Sequence, residues 1–299
     1  MITPIESKLW KEYALLCLLA VLWGASYLFL KVAVSEIPPL TLIAARVSIA
    51  AAFLCVVLAS SGGRLPKDAA TWRMLFVQSF LNASGAWVIL AWGQQYVGSG
   101  LASVLNSTSP IFVFLFTALV TRHEATTGLK LLGACLGLLV VTLIIGVDVL
   151  AGIGQKVSGQ LAALAGAVLY ACASIYGKRF SHLTPAAFAA GTMIWASVIL
   201  VPLSLAIDEP WTLTPSPKVV AAAITLAIAC TGFALLIYFR LLKTLGSLGT
   251  ASQAYLRAGV GVMLGVVLLG EQVTFVVGLG LLLAIAGVAA INAPVRYKP

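Results

Sequence analysis

The chain has 299 residues, of which 61% are hydrophobic and only 9% are charged, and its mean hydropathy is +1.08. Soluble domains carry about 25% charged residues, so this composition excludes a soluble globular protein and indicates a polytopic membrane protein. The formal net charge is +9, but the lysines and arginines punctuate apolar runs and do not cover a solvated face with stacking aromatics, so no nucleic acid is expected as a partner. The expected surroundings are the lipid bilayer.

Ten apolar runs are long enough to be membrane spans, because about 20 apolar residues cross the hydrocarbon core. They cover residues 13–34, 39–60, 72–96, 99–121, 127–145, 158–179, 185–206, 218–242, 247–269 and 273–292. Each run is continuous and much longer than the ~10-residue strands of a membrane barrel. The sequence therefore predicts an all-α integral membrane protein with ten transmembrane helices in one membrane domain, 1–299.

The basic residues predict the orientation of these helices. Most of the 18 lysines and arginines lie at span ends on the same side as the N-terminus, and such residues are enriched on the cytoplasmic side. Both termini of this multi-pass chain are therefore predicted to be cytoplasmic, in a bacterial-type inner (plasma) membrane.

Scarce residues recur at an offset of 147 along the chain. The matching pairs include Trp23 and Tyr170, Lys31 and Lys178, Pro38 and Pro185, Gly85 and Gly232, and Glu124 and Glu271. These matches predict two repeats, at about 12–146 and 158–293, with five spans each. Because five is odd, the repeats cross the membrane in opposite directions, and inverted repeats are typical of transporters that bind substrate near the midplane between the halves.

Short motifs at the ends of the two repeats carry a family resemblance. They are Trp23-Gly24-Ala25-Ser26 followed by Lys31, Ser107-Thr108-Ser109-Pro110 leading to Glu124, and Leu268-Leu269-Gly270-Glu271 followed by Thr274. With these motifs the chain resembles the EamA family of the drug/metabolite transporter superfamily, and its layout is similar to the YddG-type amino-acid exporters. The resemblance implies a basket of ten helices, in which spans three, four, eight and nine line a central cavity beside spans one and six. One departure is the run Arg257-Ala258-Gly259, where the family often has a proline.

Arg257 stands near the middle of the ninth span, where a charge costs roughly 2.5–3.5 kcal/mol on insertion scales. All nine acidic residues lie at or beyond span ends, although Glu124 and Glu271 are close enough to dip inward. One interpretation is a structural cation bonded to carbonyl groups or to a buried acid. The other is a guanidinium group that faces a wet cavity and binds a substrate carboxylate through two parallel hydrogen bonds.

Polar residues follow one face of the fourth and ninth spans at helical spacing. The candidate substrate-binding residues on these faces are Ser103, Asn106, Thr250 and Gln253, with Gln78 and Asn82 on the third span. A polar face must point away from lipid, so it either lines a cavity or forms hydrogen bonds between helices.

Four aromatic residues lie near span centres, away from the interfaces that aromatics prefer. Trp23, Tyr170 and Tyr255 are candidate pocket walls that would pack on apolar parts of a substrate, whereas core packing is the better explanation for Trp87.

Candidate gate or hinge residues lie at the ends of helices and in tight joins. They are Gly98, Gly100, Gly246, Gly249, Lys31 and Lys178. Turn formation explains the glycines equally well, and simple extension of the side chain to the interface explains the two lysines. Arg46 lies about two turns inside the second span, close enough to extend outward in the same way, and a structural role is expected for it. The spacing of Gly261 and Gly265 indicates close helix packing, either within the monomer or in a homodimer.

The predicted function is a secondary transporter that exports amino acids or similar small metabolites by alternating access. No cofactor, metal site or enzyme activity is expected, because the five cysteines and two histidines do not cluster. His123 and His182 lie at predicted cytoplasmic ends and no acid is central, which favours facilitated diffusion or exchange over proton antiport. An exporter of hydrophobic drugs or other metabolites and a small-solute channel are the alternatives.

Overall fold

The structure is a computed structural model that describes residues 4–119, 128, 131–136, 139, 142–143, 154–244 and 253–292. Within these ranges the chain is helical, and no strand occurs in them. Seven of the described helices are long and apolar enough to cross a membrane. The predicted fifth span, 127–145, and the start of the ninth lie largely outside the described residues.

The first three helices are joined by short loops. Helix α1 covers Pro4–Ala33 and α2 covers Pro39–Ser60, which begins with a proline, a residue suited to the first turn of a helix. Helix α3 consists of Ala69–Ser79, a π-helical turn at Phe80–Ser84, and Gly85–Gly93. Its first turn is capped by Asp68, whose carboxylate accepts a hydrogen bond of 2.7 Å from the backbone nitrogen of Thr71.

The predicted fourth span is broken into two helices, α4 at Ser99–Asn106 and α5 at Ser109–Leu119. The break lies just before Pro110, which has no N–H group for the helical ladder and disfavours helix in the residue before it. The Ser107 and Thr108 hydroxyls donate to the carbonyl oxygens of Ser103 and Leu105 at 2.7 and 2.6 Å. These hydroxyls satisfy carbonyl groups at the end of α4.

The second repeat supplies five further helices. They are α6 at Gly154–Tyr176, which continues as a 3-10 turn at Gly177–Phe180; α7 at Pro185–Ile207; α8, made of Pro217–Ala227, a π-helical turn at Ile228–Phe233, and Ala234–Thr244; α9 at Gln253–Leu269; and α10 at Phe275–Asn292.

The two π-helical turns lie at matching positions of the repeats. In α3 the Ser84 hydroxyl donates to the carbonyl oxygen of Ser79 at 3.2 Å, and in α8 the Thr231 hydroxyl donates to that of Leu226 at 2.8 Å. The two donors are 147 residues apart in the sequence, and so are the two acceptors. The third helix of each repeat thus has the same local irregularity, closed by a hydroxyl five residues downstream of the carbonyl.

Helix packing also follows the repeat. Helices α2 and α7, which correspond to each other, pack together at the centre. Helix α1 packs on α8 and α9, and its counterpart α6 packs on α3, α4 and α5. These inter-repeat contacts of the described helices therefore occur in pairs related by a pseudo-twofold axis, as two inverted five-helix repeats require. The first helix of each repeat is held between the third and fourth helices of the other.

Candidate functional site

Arg46 of α2 lies in the protein interior and does not extend to the membrane surface as expected from the sequence. Its side chain is only 6% exposed, and its Cζ atom lies 3.8 Å from the centroid of the Trp87 ring on α3. Its Nε atom donates to the Thr231 hydroxyl at 2.9 Å. A desolvated cation on an indole face gains about 2 kcal/mol, so Trp87 supports a buried charge, which goes beyond the core-packing role expected for it.

Arg257 of α9 is half-buried beside α1. Its Nε atom is buried, and no described residue accepts a hydrogen bond from it. Helix α1 approaches this point closely because it has Gly24 there: a Cβ atom at Gly24 would lie 2.9 Å from the Arg257 carbonyl oxygen and 2.7 Å from Cβ of Val260. The glycine of the first family motif thus lets α1 pack directly against the backbone that carries the arginine.

Asn106, at the C-terminal end of α4, is held by a tyrosine that the sequence analysis missed. The Tyr27 hydroxyl of α1 donates to Oδ1 of Asn106 at 2.9 Å. Asn106 is fully buried, and no described residue accepts a hydrogen bond from its Nδ2 atom. Gly166 of α6 lies close to this amide, because a Cβ atom there would be 3.5 Å from Nδ2. Asn106 is therefore placed between the first helices of the two repeats.

Two aromatic contacts join helices of different repeats. Nε1 of Trp87 donates to the Tyr170 hydroxyl, and Trp23 packs on Tyr238 with 5.2 Å between ring centroids. These two contacts join α3 to α6 and α1 to α8, which are equivalent helix pairs of the two repeats. Tyr170 keeps accessible surface although it lies deep among the helices, as a residue lining an internal cavity does.

The arginines and tyrosines belong to one cluster. Trp87 contacts Arg46 through its ring and Tyr170 through its Nε1 atom, and the Tyr27 hydroxyl is bonded to Asn106. The charges of Arg46 and Arg257 act on both tyrosine hydroxyls. We call this set of side chains, together with Trp87 and Asn106, the central cluster. It combines residues of α1, α2, α3, α4, α6 and α9, so both repeats contribute to it.

The other predicted binding residues are distributed around the central cluster. Gln253 is buried one turn before Arg257, and its Oε1 atom has no partner among the described residues. Gln78 is buried on α3 near Gly177, also with an unpartnered Oε1 in the described part, and Asn82 is half-buried on the π-helical turn. Thr250 and the side chain of Tyr255 lie outside the described residues.

Ser103 faces a neighbouring helix. A Cβ atom at Gly261 of α9 would clash with the Ser103 hydroxyl, and one at Gly265 would lie 2.8 Å from that of Ser99. The two glycines of α9 therefore pack on the serines of α4 within one chain. This contact accounts for the glycine spacing without a homodimer.

The loop between α3 and α4 is held by two charged side chains. Nζ of Lys31 donates to the carbonyl oxygens of Gln94 at 2.5 Å and Val97 at 2.9 Å. The carboxylate of Glu271 accepts from the backbone nitrogens of Ser99 at 2.6 Å and Gly100 at 3.0 Å. We call these contacts the α3–α4 clasp. Glu271, which the sequence places close enough to a span end to dip inward, thus binds the N-terminus of α4.

The remaining predicted gate residues have different surroundings. Gly98 immediately precedes α4, and a Cβ atom there would lie 2.9 Å from the Glu271 carboxylate. Gly98 and Gly100 therefore belong to the clasp. Lys178, the counterpart of Lys31, is exposed in the 3-10 turn after α6. Gly246 and Gly249 lie outside the described residues.

Several acidic residues form their contacts away from the two arginines. Glu12 pairs with Arg240, Asp208 accepts from the backbone nitrogen and hydroxyl of Thr41, and Glu36 accepts from Ser216. No group of residues suited to a metal ion occurs in the described part of the chain. The central cluster thus presents two guanidinium groups, neutral hydroxyls, an amide and aromatic rings, and it is suited to binding an anion.

Sequence signals existed for two of the residues that were missed. Tyr27 is four residues after Trp23 and therefore on the same helix face. Arg46, like Arg257, is a guanidinium group inside an apolar run. Nothing in the local sequence indicated that Thr231 would accept from Arg46, because that contact depends on the π-helical turn.

Comparisons with known proteins agree with this architecture. The sequence matches the EamA-like transporter family over residues 10–146 and 157–293. The transporter YoaV of Bacillus subtilis is 27% identical over 269 residues, 89% of this chain and 91% of YoaV. The inner membrane transporter YedA of Escherichia coli is 28% identical over 258 residues, 86% of this chain and 82% of YedA.

A crystal structure with 20% sequence identity has the same fold, with a TM-score of 0.68 and coverage of 94% of this chain and 96% of the other. The family match extends over both repeats and nearly the whole sequence. The chain therefore belongs to the EamA-like transporter family.

Proposed function

We propose that this membrane transporter exports amino acids or similar small carboxylate-bearing metabolites across a bacterial-type inner membrane by alternating access. The observation that carries the proposal is the Arg257 guanidinium group, whose buried Nε atom has no partner among the described residues. A buried donor on a charged group costs free energy unless a ligand or water satisfies it. A substrate carboxylate matches the planar fork of a guanidinium group.

The surrounding residues suit the rest of such a substrate. Asn106 offers its Nδ2 atom as a further donor, and Trp23, Tyr170 and Tyr238 offer aromatic surface for an apolar portion. Because both repeats contribute to the central cluster, relative movement of the repeats would expose it to one side of the membrane at a time.

The distribution of titratable residues supports facilitated diffusion or exchange. Proton-coupled carriers usually hold an acidic residue or a histidine inside the membrane. In this sequence all nine acidic residues and both histidines lie at or near predicted span ends. The distribution of basic residues predicts that both termini are cytoplasmic.

Counterflow in proteoliposomes tests the proposal. Vesicles loaded with one unlabelled amino acid or carboxylate receive a trace of the labelled solute outside, at equal pH and with no ion gradient. We expect saturable, trans-stimulated uptake. Arg257→Gln should reduce it at least tenfold, because hydrogen bonds to charged groups contribute about 1.5–3 kcal/mol each. The matched control is Arg73→Gln, which changes an exposed arginine at the start of α3 and should leave uptake unchanged.

Each alternative gives a different result in this assay. Flux without trans-stimulation would identify a channel. Transport of lipophilic cations with no carboxylate transport would identify a drug exporter. Full activity of Arg257→Gln would show that Arg257 is structural.

A further inference from the structure

Arg46 gives the central cluster a second cation, and this cation also lacks a counter-ion in the described part of the chain. Its Nε atom donates to Thr231 and one face of its guanidinium group covers Trp87. No described residue accepts a hydrogen bond from its two terminal nitrogens. These two nitrogens are able to form an end-on bidentate contact with a carboxylate.

The groups that face Arg46 are neutral. The hydroxyls of Tyr27 and Tyr170, the thiol of Cys230 and the hydroxyl of Thr231 are its polar neighbours. The acids of the chain lie at or beyond the ends of the predicted spans. Two guanidinium groups thus share one low-dielectric region, and no carboxylate of the described residues pairs with either of them.

A solute with one carboxylate and one ammonium group, such as a neutral amino acid, fits this arrangement poorly. Its carboxylate would bind one guanidinium group, but its ammonium group would then lie in the field of two cations without an acceptor carboxylate. Like charges at short range in a poorly screened region repel strongly. A dicarboxylate places one carboxylate on each arginine and leaves no charge unpaired. In an acidic amino acid the two carboxylates neutralise both guanidinium groups, so that its ammonium group no longer lies in a net positive field.

We propose that Arg46 and Arg257 together bind a small substrate with two acidic groups, of the dicarboxylate or acidic amino-acid class, and that Arg46 determines this charge preference. This inference rests on the proposed transport function and narrows its substrate class. Thr231 and Trp87 hold the Arg46 guanidinium group in place, so they act as positioning residues.

The test compares solutes of the same shape that differ in charge. Wild-type proteoliposomes are assayed for counterflow with glutamate against glutamine, and for competition by succinate against its monoamide. We expect glutamate to be carried at least tenfold better than glutamine, and succinate to compete at least tenfold better than the monoamide. In Arg46→Met, which keeps an unbranched side chain without charge, each ratio should fall below threefold. Arg46→Lys, which keeps the charge, should retain a preference for the diacid.

The outcomes separate this inference from the proposed function. Trans-stimulated transport that favours glutamine, or does not distinguish the pair, would overturn the diacid preference while the carrier function stands. Unchanged ratios in Arg46→Met would overturn the role of Arg46. No trans-stimulated transport of any amino acid or carboxylate would overturn both. If Arg46→Met does not elute as a monodisperse protein, the wild-type ratios and Arg46→Lys still decide the result.

Discussion

The Oε1 atom of Glu271 lies 2.6 Å from the backbone nitrogen of Ser99, so the residue that follows α9 caps the N-terminus of α4. Its Oε2 atom accepts from Gly100 at 3.0 Å. A carboxylate at a helix N-terminus satisfies free N–H groups and interacts favourably with the helix dipole. Lys31 binds the carbonyl groups at the other end of the same loop. In the α3–α4 clasp the positive charge thus lies at the C-terminal end of α3 and the negative charge at the N-terminal end of α4, where each interacts favourably with the helix dipole.

Replacing the carboxylate should loosen this clasp. We expect Glu271→Gln to lower the free energy of unfolding by about 1–2 kcal/mol, because a charge-assisted double contact becomes a neutral one. Thermal unfolding of the purified protein in detergent measures the change. Glu209→Gln removes an exposed carboxylate from the loop before α8 and is the matched control. Equal melting temperatures for the two variants would show that the Glu271 contact adds no stability.

The two symmetry-related lysines should behave differently. Lys31→Met removes the donor to Gln94 and Val97, whereas Lys178→Met changes an exposed side chain. We expect a loss of roughly 1–3 kcal/mol for Lys31→Met, since carbonyl oxygens lose a charged partner, and less than about 0.5 kcal/mol for Lys178→Met. The same unfolding assay gives both values. If Lys178→Met were as destabilising as Lys31→Met, the asymmetry between the two lysines would be disproved.

The third testable feature of the clasp is the close approach of the Glu271 carboxylate to Gly98. An alanine Cβ atom there would lie 2.9 Å from the Glu271 carboxylate, a distance at which the carboxylate must move. Gly98→Ala should therefore reduce stability by about 1–3 kcal/mol and should add little to the effect of Glu271→Gln in the double variant. Gly278→Ala, whose Cβ atom would meet nothing closer than 3.9 Å, is the control. Fully additive effects of the two substitutions would show that Gly98 acts separately from Glu271.

Hydropathy and the offset of 147 were sufficient to predict the membrane class and the two repeats. They did not predict the break before Pro110 or the two π-helical turns, because an apolar run looks the same whether its helix is regular or not. Arg46 was assigned to the interface because depth along the sequence does not show which way a long side chain turns. The Arg46 side chain turns inward because it binds the Trp87 ring and the Thr231 hydroxyl, and both of these groups belong to other helices.

A carrier that moves a net anion also moves charge across the membrane. If the diacid inference is correct, uptake of glutamate should respond to membrane potential, whereas flux of neutral glutamine should not. A potential of 100 mV is worth about 2.3 kcal/mol per elementary charge, enough to drive export of an anion from a cell with a negative interior. The measurement uses vesicles with a valinomycin-set potassium potential, and an interior-positive potential should accelerate glutamate uptake. Glutamate flux that is insensitive to potential would contradict electrogenic anion transport.

The last prediction concerns a contact that occurs twice, once in each symmetry-related position of the inverted repeats. The two occurrences are made by different residues. Between α3 and α6 the backbones touch: a Cβ atom at Gly159 would lie 2.8 Å from the carbonyl oxygen of Gly93. The equivalent positions between α1 and α8 are Glu12 and Arg240, whose side chains form a 2.8 Å ion pair. One copy of the contact is thus closed by glycines, and the other by two longer charged side chains.

Alternating access between inverted repeats would open one of these contacts as the other closes. Gly159→Ala should therefore force α3 and α6 apart, raise the reactivity of a cysteine introduced at Tyr96 toward an impermeant thiol reagent, and slow counterflow severalfold. Tyr96 is exposed. It lies beside Gly159, where an added Cβ atom would be 3.0 Å from Cβ of Tyr96. Arg240→Gln should weaken the other contact and leave that cysteine less reactive than in the parent. Equal reactivity of this cysteine in the parent and in both variants would show that the two contacts are not coupled.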